Sequence, residues 1–203
     1  MLQREAIEPA TLELLRYIQS LEVFSELRLV GGTALALQIG HRKSIDLDFF
    51  GKVEFENINI TTIFPEKFII KSLKKTININ IFHINNIKVD FVNYPYPWID
   101  NYIMEEGVIL GSMKDIAAMK VAAITNRGTK KDFIDLFFLL KYFTINEIIL
   151  FYKQKYKDAS EFLALKSLSY FGDAEKEPLP EMLTDFSWQK AKETIVMELK
   201  KLT

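Results

Sequence analysis

The 203-residue chain contains no cysteine. Disulfides and thiolate metal sites are therefore excluded, and a cytoplasmic setting is expected. Histidine is almost absent, with His41 and His83 the only two. His41 reads as a turn element and His83 as a structural residue on an apolar strand, so no Ser-His-Asp arrangement is implied. No G-x-x-x-x-G-K-[ST] loop occurs. Long apolar runs are missing too. The most apolar later stretch, Phe133 to Phe143, is broken by Asp135 and Lys141 and is too short to span a bilayer. The opening MLQREAIEP lacks the basic-then-apolar pattern of a signal peptide, so no membrane partner is expected. Neither sign of charge dominates: 26 basic against 27 acidic side chains leave a net charge of −1, which does not mark the whole protein as a polyanion binder. Glycine is scarce at eight residues, so the adjacent pair Gly31-Gly32 stands out.

Apolar residues make up 49% of the chain, phenylalanine is abundant at 16, and the length suffices for one domain or a small two-lobed one. The densest signal is Leu29 to Phe50, LVGGTALALQIGHRKSIDLDFF. Leu29-Val30 ends a strand, Gly31-Gly32 turn, and Thr33 to Ile39 form a short apolar helix that stops at Gly40, which can take the left-handed conformation cheaply. Backbone N–H groups at that helix start would suit a phosphate. Ile45 to Phe50 then alternates as a strand, placing Asp46 and Asp48 on one face. Two like charges in an apolar strand are costly unless a cation joins them, and Mg²⁺ or Mn²⁺ would remove that cost. A polyphosphate cradle beside paired carboxylates points to phosphoryl or nucleotidyl transfer from an NTP. Asp90, in the apolar run Ile87 to Val92, is the candidate third acid, and three carboxylates could hold two metal ions.

Glu8 to Leu21 reads as an amphipathic helix, Arg28 to Val30 as the first strand, and 56–64 as a short helix before Pro65. Phe68 to Leu73, Ile77 to Ile84 and Ile87 to Tyr94 are rich in β-branched and aromatic residues, as strands are, and Asn85-Asn86 marks a tight hairpin between the last two. After Pro95 and Pro97 the pattern turns helical. Ser112 with Asp115 starts a helix to Asn126, Gly128 breaks it, and helices follow over 130–142, 144–156 and 160–170. Asp173 to Pro180 reads as an exposed linker, and Trp188 to Leu202 as a final helix. The expected fold class is α+β, with a small mixed or antiparallel sheet in a core of residues 1–111 and a helical lobe over 112–203.

Lys120, Arg127, Lys130 and Lys131 form a basic run with no acid among them. At spacings of seven and four, Lys120, Arg127 and Lys131 would stay on one side of a helix and could meet a triphosphate. Lys71, Lys74 and Lys75 form a second cluster, which reads equally well as a solvated face. Asp132 and Asp135 fit a dipole or ion-pair role as readily as a catalytic one.

Together, Gly31-Gly32-Thr33, His41-Arg42-x-Ser44-x-Asp46-Leu47-Asp48-Phe49-Phe50, the strand bearing Asp90, and Lys114-Asp115 through Lys120, Arg127, Lys131-Asp132 and Asp135-Leu136 resemble the AbiEii/AbiGii nucleotidyltransferase toxin family of the DNA-polymerase-β-like superfamily. The resemblance covers roughly residues 25 to 140. It implies the polymerase-β-like nucleotidyltransferase fold and a bacterial type IV toxin–antitoxin or phage-defence toxin, with a cognate antitoxin that need not bind it directly. MenT-type relatives add nucleotides to the tRNA 3′ end. By carry-over, Asp46, Asp48 and Asp90 hold the metal. Gly31, Gly32, Thr33, Arg42 and Ser44 contact the nucleotide, and Lys120, Arg127 and Lys131 neutralise its charge, Lys120 as part of the catalytic set. The chain is short for that family, which places the divergence in the acceptor-shaping helical lobe. Transfer to a small molecule or a protein hydroxyl, and a non-catalytic nucleotide- or partner-binding module, are the alternatives.

Overall fold

Alternation of apolar and polar side chains in 28–110 builds a seven-stranded sheet, and 3.6-residue periodicity after Ser112 builds helices. A computed structural model describes residues 1–55 and 58–202. In chain order the elements are α1 (Pro9–Ser20), β1 (Arg28–Val30), α2 (Gly31–Ile39), β2 (Leu47–Gly51), α3 (Ile60–Ile63), β3 (Ile70–Lys75), β4 (Ile79–Ile84), β5 (Ile87–Asn93), β6 (Ile103–Glu105) and β7 (Val108–Leu110). They continue with α4 (Met113–Asn126), α5 (Lys130–Leu139), α6 (Ile145–Lys155), α7 (Glu161–Leu168), α8 (Gly172–Glu175) and α9 (Trp188–Leu199). The chain divides into two compact units. The first contains Met1–Ile39, Ser44–Pro95 and Tyr102–Gly111; the second contains Gly40–Lys43, Tyr96–Asn101 and Ser112–Thr203.

The first unit carries the whole sheet, ordered β3-β4-β5-β2-β1-β7-β6. It is mixed: β2 pairs in parallel with β5 and β1 with β7, while the remaining neighbours run antiparallel. Asn85 and Asn86 both take positive φ (51° and 66°), as a two-residue hairpin turn requires, and so set the β4–β5 register. Leu47, Phe49, Val89 and Phe91 point to the core. There Phe91 stacks on Phe24 at 4.7 Å and on Phe49 at 5.5 Å, with Phe55 and Phe82 edge-on. Much of the phenylalanine content is thus placed where large rigid rings fill a sheet-backed core. The opposite side chains of the same two strands, Asp48 and Asp90, are only half-buried.

The second unit is built around α4, whose Ile116, Ala117, Ala118, Val121 and Ile124 are buried against α5, α6 and α7. Its start is fixed by Ser112, whose hydroxyl accepts the Asp115 N–H, and α6 opens on a reciprocal Thr144/Glu147 capping box. Asp115 is itself fully buried and meets the buried Lys155 ammonium at 2.7 Å, while Ile99 N–H donates to its carboxylate at 2.9 Å.

Three expectations are revised. The short helix expected over 56–64 is a single turn, Ile60–Ile63, and residues 56 and 57 lie outside those described. Residues 103–110, to which the sequence pattern assigns no element ahead of the helix at Ser112, form the β6–β7 hairpin, turned by Glu106 and Gly107 at positive φ. The segment 173–180 is not a loose linker. Gly172–Glu175 is helical, and Lys130 donates its ammonium to the carbonyls of Glu175 and Glu177 and its backbone N–H to the Glu177 carboxylate at 2.8 Å.

Candidate active site

The acidic site is set by register. Asp48 of β2 lies directly beside Asp90 of the parallel strand β5 and, on its other side, beside Val30 of the antiparallel strand β1. Paired residues on neighbouring strands share a face, so the two carboxylates project together about 5 Å apart at the backbone. Asp46 enters just ahead of β2 and is half-buried.

Gly31 closes this site from the β1 side. Its φ is +70°, and a β-carbon there would come 2.3 Å from Asp48 Oδ2. Only a glycine lets the Asp48 carboxylate lie against the N-terminal turn of α2, where the first helical N–H groups have no partner within the helix. Gly40 ends α2 with φ +63°, as its place in the sequence leads one to expect. The hydroxyls of Thr33 and Ser44 are spent on the protein itself. Thr33, 1% exposed, donates to the Asp46 carbonyl and exchanges a hydrogen bond with Ser44 Oγ at 2.7 Å. These two residues tie the turn to the loop that delivers Asp46.

Replacing Gly31 by alanine tests this arrangement. Left-handed backbone should cost about 1–2 kcal/mol. The clash itself falls on the movable end of the Asp48 side chain, so stability suffers modestly while the carboxylate is displaced. The expected outcome is a small fall in Tm with a disproportionately large loss of nucleotidyl transfer, measured on the same preparation.

Lys88, which sequence reasoning passed over, is the cation of this site. Its ammonium stands 2.7 Å from both oxygens of the Asp90 carboxylate and donates to Oδ2. The signal was present: Lys88 and Asp90 are two apart on one strand and so share a face.

Two of the expected cations of the second unit, Arg42 and Lys120, lie in a buried ionic cluster. Asp135 is completely buried and accepts from His41 Nε2 at 2.7 Å, Arg42 Nε at 2.7 Å and Arg42 Nη2 at 2.9 Å. Lys120 Nζ lies 2.7 Å from Asp135 and 3.0 Å from Asp132. Arg127 Nε donates to the Asp132 carboxylate at 3.0 Å, and Thr129 Oγ donates to it at 2.6 Å. Burial would raise the Asp132 pKa, but Lys120 and Arg127 outweigh it and hold the group at about 2. Burial opposes ionisation of Asp135 as well, yet Arg42 and Lys120 keep it well below the usual carboxylate range. The Lys120 ammonium loses solvation, and Asp135 and Asp132 more than compensate, raising its pKa. Burial dominates at His41 and lowers its pKa despite Asp135. The imidazole is thus neutral near pH 7, donating from Nε2, with Nδ1 buried and unpartnered.

Of the sequence-predicted residues, Asp46, Asp48, Asp90, Gly31, Gly32, Thr33 and Ser44 fall in the first unit, and Arg42, Lys120, Arg127 and Lys131 in the second. Arg42 and Lys120 are buried in ion pairs, whereas the side chains of Arg127 and Lys131 reach solvent.

Similar solved structures bear the expected fold out. MenT4, a nucleotidyltransferase toxin from Mycobacterium tuberculosis H37Rv, superposes with a TM-score of 0.59 at 13% identity, covering 96% of this chain and 83% of that one. JHP933 from Helicobacter pylori superposes with a TM-score of 0.53 at 16% identity, covering 97% of both chains. The chain therefore has the nucleotidyltransferase fold. A family model for the nucleotidyl transferase AbiEii toxin of type IV toxin–antitoxin systems matches residues 13–201, and the chain belongs to that family. An uncharacterised protein of Aquifex aeolicus (strain VF5) is 35% identical, with 94% of this chain and 95% of that protein covered. Among the described residues no helix is long and apolar enough to cross a membrane.

Proposed function

We propose that this protein is a divalent-metal-dependent toxin that transfers a nucleoside monophosphate from an NTP to the 3′-hydroxyl of an RNA, the tRNA 3′ end in particular. The observation that carries this reading is the in-register pair Asp48 and Asp90, held beside the N-terminal turn of α2 by Gly31. Family membership supports an NTP substrate and a cognate antitoxin.

The donor set fits a hard cation. Asp48 and Asp90 present hard oxygen donors on one sheet face, and Asp46 lies in the loop just ahead of β2. With Lys88 as the cation at Asp90, the described residues contain no preformed cluster of three metal-binding side chains. Asp46, Asp48 and Asp90 would hold Mg²⁺ or Mn²⁺, two ions in a full complement, which would neutralise triphosphate charge and acidify the attacking hydroxyl.

The chain's own part is positioning. Gly31, Gly32 and Thr33 offer backbone N–H groups to the phosphates, and Thr33 and Ser44 hold the loop that presents Asp46. The acceptor 3′-oxygen attacks the α-phosphorus. A P–O bond forms there, the bond to the β-phosphate oxygen breaks, pyrophosphate leaves, and the hydroxyl proton is taken up by Asp90. Arg127 and Lys131 are assigned to the triphosphate on the family resemblance. Arg42 and Lys120 act as positioning residues within the helical unit.

The test is a labelling assay in which purified protein is incubated with Mg²⁺, total tRNA and each α-³²P-NTP in turn. The expected result is label on tRNA from one or two nucleotides, absent with Asp46→Ala/Asp48→Ala. Label on protein or a small molecule instead would keep the chemistry and discard RNA as acceptor. No transfer with any nucleotide would overturn the reading.

A further inference from the structure

The sheet face that carries Asp48 and Asp90 continues outward into a field of positive charge. From Lys67 to Val89 the chain has five lysines and a histidine and no acidic residue. Strand register distributes them. Lys71 of β3 pairs with His83 of β4, which pairs with Lys88 of β5, and these three share a face. The next row on that face runs Lys74, Ile81, Asp90 and Asp48. Lys71 and Lys74 are exposed, and among the described residues neither has a carboxylate within ion-pair reach. The row from Lys71 to Lys88 spans two inter-strand steps, about 10 Å, and ends two residues from Asp90. Phe82 and Phe91 of the same strands face the core, so on this face β3, β4 and β5 offer Lys71, Lys74, His83 and Lys88 but no phenylalanine, tyrosine or tryptophan.

We propose that the outer face of β3–β4–β5 is the acceptor-docking surface, where Lys71, His83, Lys74 and Lys88 hold the phosphates of a single-stranded RNA end and lead its 3′-hydroxyl to Asp48 and Asp90. This rests on the reading of the site as an RNA nucleotidyltransferase. A net charge of −1 leaves the whole molecule without long-range attraction for RNA, so the two lysines without a carboxylate partner on this face, Lys71 and Lys74, are the feature that would recruit a polyanion. Phosphate contacts position a strand without reading its bases. Recognition at this surface is therefore sequence-tolerant, and base selection lies elsewhere.

The test compares the full chain with Lys71→Gln/Lys74→Gln and with Lys157→Gln/Lys176→Gln, which removes two exposed lysines of the helical unit. Binding of fluorescein-labelled total tRNA is titrated at several salt concentrations, alongside binding of the NTP alone. The β3 pair should weaken RNA binding on the order of tenfold at low salt and flatten the log K against log salt slope by about 1.4, at about 0.7 per lost single-strand phosphate contact. NTP affinity and Tm should be unchanged, and the helical-unit pair should bind RNA like the parent. Equal losses in both double variants, an unchanged salt slope, or a parallel loss of NTP affinity would overturn the docking surface while leaving the nucleotidyltransferase reading intact. Absence of RNA binding by the parent protein would overturn both.

Discussion

Asp48→Asn is expected to lower nucleotidyl transfer by about 10³-fold, because a metal-held charge at the reacting phosphate is worth several kcal/mol and each 1.36 kcal/mol is about tenfold in rate. The substitution is isosteric, and it falls on the face of β2 opposite the packed Leu47 and Phe49. The core should not notice it. Removing one of two adjacent like charges should relieve repulsion whenever no cation joins them, so Tm should hold or rise. Loss of activity with retained stability is the signature of a residue kept for chemistry. A parallel fall in Tm would instead make Asp48 a structural residue. Asp90→Asn should behave the same way in transfer, and it also strands Lys88, whose ammonium now pairs with Asp90.

Asp135→Asn should show the opposite signature. Asp135 is fully buried and answers His41, Arg42 and Lys120 at once. Neutralising it leaves two buried cations short of a counter-charge, and breaking a buried pair from one side costs about 3–5 kcal/mol. Against a typical total of about 5–15 kcal/mol this should bring the protein close to unfolding at ordinary temperature. Asp132→Asn should cost less, because its partner Arg127 is largely exposed and can be rehydrated. Chemical denaturation of the three proteins checks the order.

The same cluster sets the pH dependence. Asp132 and Asp135 have folded-state pKa values below their unfolded ones, so the unfolded chain binds protons first as pH falls. Their stabilisation is complete above about pH 4–5 and is lost progressively toward the Asp132 value of about 2. His41, lowered by burial, works in the same sense from a higher start, with stability declining once pH drops below the ordinary histidine value of 6.5. Tm measured from pH 7 to pH 3 should fall in two stages, and His41→Gln should remove the first.

What the sequence disclosed depended on range. Gly31-Gly32, Gly40, the Asn85-Asn86 turn and the caps at Ser112 and Thr144 act within a few residues, and each appears where its local chemistry points. Asp48 and Asp90 could be matched because both sit in short apolar strands, although their register depends on parallel pairing across some forty residues. The roles of Arg42 and Lys120 were not legible. Their partner Asp135 is 93 residues from Arg42, and no local pattern tells a buried ion pair from a phosphate ligand. The β6–β7 hairpin escaped because three-residue strands carry too little periodicity to register. Lys88 was overlooked for a different reason: a lone lysine beside an aspartate is unremarkable until the strand places both on the face that carries Asp48.

The most direct measurement is anomalous diffraction from crystals grown with Mn²⁺ and an NTP analogue that cannot release pyrophosphate. The account predicts an anomalous peak at the carboxylates of Asp48 and Asp90, with the triphosphate at the Gly31-Gly32 turn. Manganese and nucleotide bound away from these aspartates would contradict it.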